Sequence, residues 1–84
     1  MFIDFHKRFK KQYAKLPIKL QERFDERLEV FKKDPFDQEL NNHALHGEYL
    51  GYRSINVTGD WRAIYEVNGD CNYFVFIDTH SNLF

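Results

Sequence analysis

Cysteine is almost missing from this chain of 84 residues, where Cys71 stands alone. A single thiol excludes an internal disulfide and a cysteine-based zinc cluster, and it agrees with a reducing, cytoplasmic setting. Placed at the start of an apolar strand pattern with no base beside it, Cys71 reads as a small filler rather than a nucleophile. Proline occurs twice, at Pro17 and Pro35, each where a helical pattern breaks. No apolar run reaches membrane-spanning length, and the opening MFIDFHKRFKK lacks the extended apolar stretch of a secretory signal. The net charge is only −1, which argues against general coating of nucleic acid. Repeats and low-complexity tracts are missing as well. The expectation is one soluble domain over residues 1–84.

What the chain has in quantity is aromatic and unevenly placed charge. Nine Phe, five Tyr and one Trp bring the aromatic share to 18%. Large rings bury much area per residue, which suits a domain near the lower size limit for an unstapled core. Lys7, Arg8, Lys10, Lys11, Lys15 and Lys19 face only Asp4 within the first 20 residues, so this stretch carries +5 and the remainder an acidic excess. A basic stripe of this kind serves either as a solvated helix face or as a meeting surface for phosphate.

Phe5, Phe9, Gln12, Tyr13 and Leu16 recur with helical spacing, which predicts a helix over 5–16 that Pro17 interrupts. IKLQERFDERLEVFKK, residues 18–33, puts Leu20, Phe24, Arg27, Leu28 and Phe31 on one stripe and predicts a second helix. Asp34 before Pro35 ends it. The period then changes. After the loop-like NNHALHGEYLGY, the segments YRSINV, WRAIYEV and CNYFVFI are separated by TGD and NGD turns, the signature of antiparallel hairpins. Along the first of them Arg53, Ile55 and Val57 fall on one face, with Tyr52, Ser54 and Asn56 on the other. The predicted class is α+β: a two-helix hairpin packed on a three-stranded antiparallel meander, to which MFI would add a short fourth strand. The tail DTHSNLF leaves the last strand, and Leu83 and Phe84 are expected to fold back onto the domain.

Few residues outside the helices carry chemistry. His43 and His46 are close in sequence, yet a zinc site needs a third ligand. Acid–base chemistry fits better. RNA carries its own nucleophile, the 2′-hydroxyl, so cleaving it requires a proton acceptor, a proton donor and a cation for the developing charge. His43 and His80 suit the proton roles near neutrality. Asp60 suits orienting a histidine or acting as base, Arg53 and Arg62 suit phosphate, and Trp61 and Tyr65 offer rings for stacking bases.

Together these residues resemble a family. NNHALHGEYLGYRSINVTGDWRAIYEV followed by FIDTHSNLF is similar to the YafQ branch of the RelE-like toxins, within the RelE/ParE superfamily. The pattern runs His-x-Leu-x-Gly, Gly-Tyr-Arg-Ser, Asp-Trp-Arg-x-Ile-Tyr and Thr-His-x-x-Leu-Phe. The resemblance implies two helices against a curved antiparallel sheet of three to four strands. It implies the toxin of a type II toxin–antitoxin system, a metal-independent and cofactor-free endoribonuclease that cuts mRNA on the ribosome. The implied partners are a cognate antitoxin, mRNA and the ribosome with its 16S and 23S rRNA, with no membrane. The toxin itself would be monomeric, forming a hetero-oligomer with the antitoxin. By motif position, the catalytic residues are His43 as a base, Asp60 in proton handling and His80 as general acid. Arg53 and Arg62 are implied phosphate ligands, Trp61 the ring near the substrate and Phe84 the closing aromatic. Asn56 stands where the best-known pattern has a histidine, and Asp78 where a glycine is frequent. The alternatives within the same fold are a ParE-like toxin that binds DNA gyrase without catalysis, and a degenerate toxin that acts only with its antitoxin at their promoter.

Overall fold

In the computed structural model, which describes residues 1–84, the first segment is not a helix start but a strand. Phe2–Phe5 form β1, and helix α1 begins only at Lys7 and ends at Ala14. His6 causes the break: its backbone is extended, and its Nδ1 accepts the Arg8 N–H at 3.0 Å as an N-cap. Phe5, counted in the helical stripe, therefore belongs to the sheet. Helix α2 spans Ile18–Lys33, as the periodicity predicts, with Pro17 as its N-cap residue and Asp34 as its C-cap. The helices are tied by Tyr13 Oη donating to Asp25 Oδ1 (2.8 Å) and by Gln21 Nε2 donating to the Tyr13 carbonyl (2.9 Å).

Single turns of 3₁₀ helix at Gln38–Leu40 and Gly47–Tyr49 flank a two-residue strand, β2 (His43–Ala44). Gly47 has φ +64°, a backbone state open to glycine at little cost. The meander follows as β3 (Tyr52–Asn56), β4 (Trp61–Asn68) and β5 (Cys71–Thr79), closed by a short helix α3 (His80–Leu83). The sheet has five strands in the order β1-β5-β4-β3-β2. It is mixed rather than antiparallel throughout, because β1 runs parallel to β5, with Phe2 opposite Cys71 and Phe5 opposite Phe74. The antiparallel meander is present as expected. The two added strands have only four and two residues, too few to impose a readable period.

Helices α1 and α2 cover one face of this sheet. Phe9, Phe24 and Phe31 meet Ile55, Ala63, Tyr65, Phe74 and Ile77 in the main core. Phe74 is its hub, with ring centroids 5.2–5.8 Å from Phe5, Phe9, Phe24, Phe31 and Tyr65. A register shift explains the unbroken apolar run YFVFI. Ile64 pairs with Phe76 while Tyr65 pairs with Phe74, so Val75 is an extra residue, a β-bulge. Phe74 and Ile77 consequently both face the helices, whereas Val75 and Phe76 pack on the other face around Ile64. Beyond Phe5 the outer edge of β5 would lose its ladder partner, and Gln12 Oε1 accepts the Ile77 N–H there at 2.9 Å. No helix is long and apolar enough to cross a membrane.

Candidate active site

The helix-free face of the sheet is built in cross-strand rows. Asn56, Arg62 and Asp78 are in register, and one row further on lie His43, Ser54, Ile64 and Phe76. Residues two apart on a strand share a face, so His43, Ser54 and Arg62 fall together although far apart in sequence. They line an open groove of about 450 Å³ with Asn41, Leu45, His46, His80 and Phe84.

His43 is oriented by its own loop. Its Nδ1 lies 2.8 Å from the carbonyl oxygen of Asn41, a residue in the left-handed conformation with φ +46°. A carbonyl only accepts, so this contact requires a proton on Nδ1. In the neutral ring Nε2 then carries the free lone pair, the form a general base needs. His80 opens α3, and its backbone N–H donates to the Asp60 carbonyl at 2.8 Å. Its ring lies 5.2 Å from that of Phe84, which in turn stands edge-on to Tyr49 at 5.5 Å. The tail is thus a built wall of the groove.

Arg62 is the one arginine lining the groove. Its Nη1 donates to the carbonyls of Thr58, Gly59 and Trp61 at 3.1–3.2 Å, which fixes the guanidinium across its own turn. Nε and Nη2 stay available for an anion. The three ion pairs of the molecule join Arg23 to Glu26, Arg27 to Glu39 and Lys32 to Glu29, so Arg62 has no acidic partner. Asp78, in register with Arg62, turns away toward α3: its Oδ1 accepts from the Thr79 N–H (2.7 Å) and from Asn82 Nδ2 (3.0 Å). Two buried polar atoms of this face, Ser54 Oγ and Asn56 Oδ1, have no hydrogen-bond partner. Orphan polar groups beside a groove mark places where a ligand or solvent completes the bonding.

The groove gathers His43, Arg62, His80 and Phe84 from the residues singled out in the sequence. Asp60 sits in the exposed turn before β4, touching His80 through its backbone carbonyl. Arg53 and Trp61 lie elsewhere. Trp61 packs against the helix-side core. Arg53 shares the face of Ile55, stacks over the Phe36 ring at 5.1 Å and donates from Nε to Asn42 Oδ1 at 2.8 Å. Tyr65, read as a stacking ring, is a core residue only 1% exposed whose Oη accepts from Asn42 Nδ2 at 2.7 Å. Strand alternation was the available signal, since Arg53, Ala63 and Tyr65 share the parity of the buried side. Ser54 carries no motif signal in the sequence, and His46, spaced from His43 as half of a zinc pair would be, lines the same groove. No group of three His, Cys, Asp or Glu side chains gathers as metal ligands, so His43 and His46 lack the third donor that zinc requires.

Two helices on one face of a five-stranded mixed sheet form the fold shared by RelE/YoeB-like toxins. The fold is similar to that of the YoeB/ParE toxin from Agrobacterium tumefaciens, at TM-score 0.79 and 20% identity over 95% of this chain and 99% of that one. The family described as bacterial toxin of type II toxin–antitoxin system, YafQ, matches residues 1–84, and the chain belongs to it. It is also similar to HP0894 from Helicobacter pylori, at 30% identity over 100% and 99% of the two chains with TM-score 0.67. YafQ in the E. coli DinJ–YafQ toxin–antitoxin complex is 24% identical over 98% and 94%, with TM-score 0.68. No curated protein matches the sequence.

Proposed function

We propose that this toxin is a metal-independent endoribonuclease that cuts mRNA on the ribosome. The single observation that carries the reading is that His43, Arg62 and His80, remote along the chain, line one groove. His43 Nε2 takes the proton of a 2′-hydroxyl, and the oxygen attacks the adjacent phosphorus. Arg62 balances the charge of the pentacoordinate phosphorane. His80, as imidazolium, gives its proton to the 5′-oxygen as the P–O5′ bond breaks, leaving a 2′,3′-cyclic phosphate and a 5′-hydroxyl. Phe84 holds the nucleotide beside His80, and the Asp60 carboxylate at the rim assists proton handling. Asn56, an amide, hydrogen-bonds without shuttling protons.

The lysines of α1 face ribosomal RNA, and the protein acts in the cytoplasm, where ribosomes and mRNA meet. As the E. coli relative is solved with DinJ, a cognate antitoxin binds this chain as a hetero-oligomer and silences it. Induced expression of the wild type and of His80→Ala, with primer-extension mapping of a reporter transcript, tests the reading. Growth arrest and discrete cuts are expected from the wild type alone. An alanine variant that arrests growth and cuts equally well overturns the assignment of His80.

A further inference from the structure

A second pocket opens on the same face as the groove, at the far end of β4. It has a volume of about 250 Å³, and its lining includes His6, Arg8, Tyr52, Glu66, Tyr73 and Phe76. Glu66 is opposite Tyr52 on one side and Tyr73 on the other, so a carboxylate sits between two tyrosines in one cross-strand row. Arg8 lies over the Phe76 ring, 4.5 Å from its centroid. Because Nδ1 of His6 is used by the Arg8 N–H, its Nε2 is the nitrogen left for another partner. Neither Arg8 nor Glu66 belongs to an ion pair.

The pocket and the groove share no lining residue, but both open on the helix-free face of the sheet. Arg62, Ile64 and Glu66 alternate onto one face, which sets Glu66 about 13 Å from Arg62 along β4. A line of rings joins the two ends: His80 to Phe84 (5.2 Å), Phe84 to Tyr49 (5.5 Å) and Tyr49 to Phe76 (6.4 Å), with Arg8 over Phe76. Aromatic rings flanked by cations, Arg8 at one end and Arg62 in the groove at the other, are the kind of surface that holds a single RNA strand through base stacking and phosphate contact. The spacing corresponds to roughly two nucleotides of extended strand.

We propose that this pocket is a guanine-binding subsite for the RNA strand that lies in the groove, an inference that rests on the endoribonuclease reading and deepens it. Glu66 carries the selectivity. A carboxylate is acceptor-only, and guanine alone presents two adjacent donors, N1–H and the N2 amine, for a bidentate pair. Adenine and cytosine put an acceptor next to their single amine, and uracil flanks its N–H with two carbonyls; each sets an oxygen or nitrogen lone pair against the carboxylate. Tyr52 and Tyr73 wall the base, and Arg8 with His6 meets the phosphate that follows it.

The test is equilibrium binding of labelled tetranucleotides by fluorescence anisotropy, with the His80→Ala chain to prevent cutting. A guanosine-bearing tetranucleotide is expected to bind about tenfold tighter than tetrauridylate, within the range of one bidentate pair. Glu66→Gln should bring the two within about twofold of each other, since an amide puts a donor where guanine also donates. Arg8→Gln should weaken every sequence alike and flatten the salt dependence. Equal binding of the two tetranucleotides, no binding of either, or a guanosine preference that survives Glu66→Gln overturns the proposal. Failure of the endoribonuclease reading appears separately, as wild-type protein that leaves the transcript uncut whatever the binding shows.

Discussion

The backbone N–H of His80 donates to the backbone carbonyl of Asp60 across 2.8 Å. This bond pins the first residue of α3 to the turn before β4, and no side chain takes part in it. Removing the Asp60 carboxylate therefore leaves the frame of the groove in place.

Asp60→Ala should change unfolding free energy by no more than about 0.5 kcal/mol, the usual span for an exposed position. The imidazole resonances of His80 should stay where they are in the wild type. Any loss of RNA cutting in this variant then reports on the carboxylate itself. A large shift of the His80 resonances would show that the side chain, and not the main chain, holds the tail.

The two arginines expected to meet phosphate should separate cleanly. Arg62→Ala is expected to lower the cutting rate by about a hundredfold or more, as for loss of one charge-stabilising donor, and to cost about 1–2 kcal/mol through its lost bonds to the Thr58, Gly59 and Trp61 carbonyls. Arg53→Ala should also cost about 1–2 kcal/mol, through its lost bond to Asn42 and its lost packing on Phe36, while cutting stays within about threefold. Primer extension and thermal melts on the same two preparations decide the matter. A reversed pattern would put the phosphate on the helix-covered side.

Phe74 touches five other rings, so its removal should be felt throughout the main core. Phe74→Ala is expected to cost about 3–5 kcal/mol, a large part of the total stability of a domain this size. Phe2→Ala, at a side chain 70% exposed, should shift the urea midpoint little. Comparable midpoints for the two variants would contradict the packing described above.

Tyr13 carries a pH dependence. Its partial burial, then its hydrogen bond to Asp25, then the charge of that carboxylate all raise its phenol above the ordinary value of 10.0. The protonated ring is thus favoured by folding. The stabilisation is complete below pH 10.0 and disappears as pH climbs through the raised value. Wild-type stability should fall more steeply on the alkaline side than that of Tyr13→Phe, and the two curves should converge at high pH. Chemical denaturation between pH 8 and 11 measures it; parallel curves would rule out the linkage.

Much of this architecture is legible in the residues, and what escaped has a physical cause. Helix α2 was readable to the residue because sixteen positions carry one stripe bounded by Pro17 and Asp34-Pro35. Phe5 fits the helical stripe in sequence because an apolar residue four positions before Phe9 satisfies the helical period whether or not the chain is coiled there. His6, as cap, makes the difference. Four residues of the groove, His43, Arg62, His80 and Phe84, are legible as types in a motif, but the motif does not say which way a strand side chain points. Alternation does: Ile55 and Val57 are core residues, and Arg53 shares their parity. The bulge at Val75 was hidden, since YFVFI reads as an even run whether one residue is extra or not.

The pairing of Phe5 with Phe74 has a bearing on how the molecule is made. The first strand of this sheet in chain order is stacked against the last, with the rest of the sheet built outward from that seam. While translation is under way Phe5, Phe9 and Phe24 have no Phe74 to pack on, and the wall that carries His80 does not exist. A fragment that stops short of β5 therefore holds neither the finished interior nor the wall of the groove.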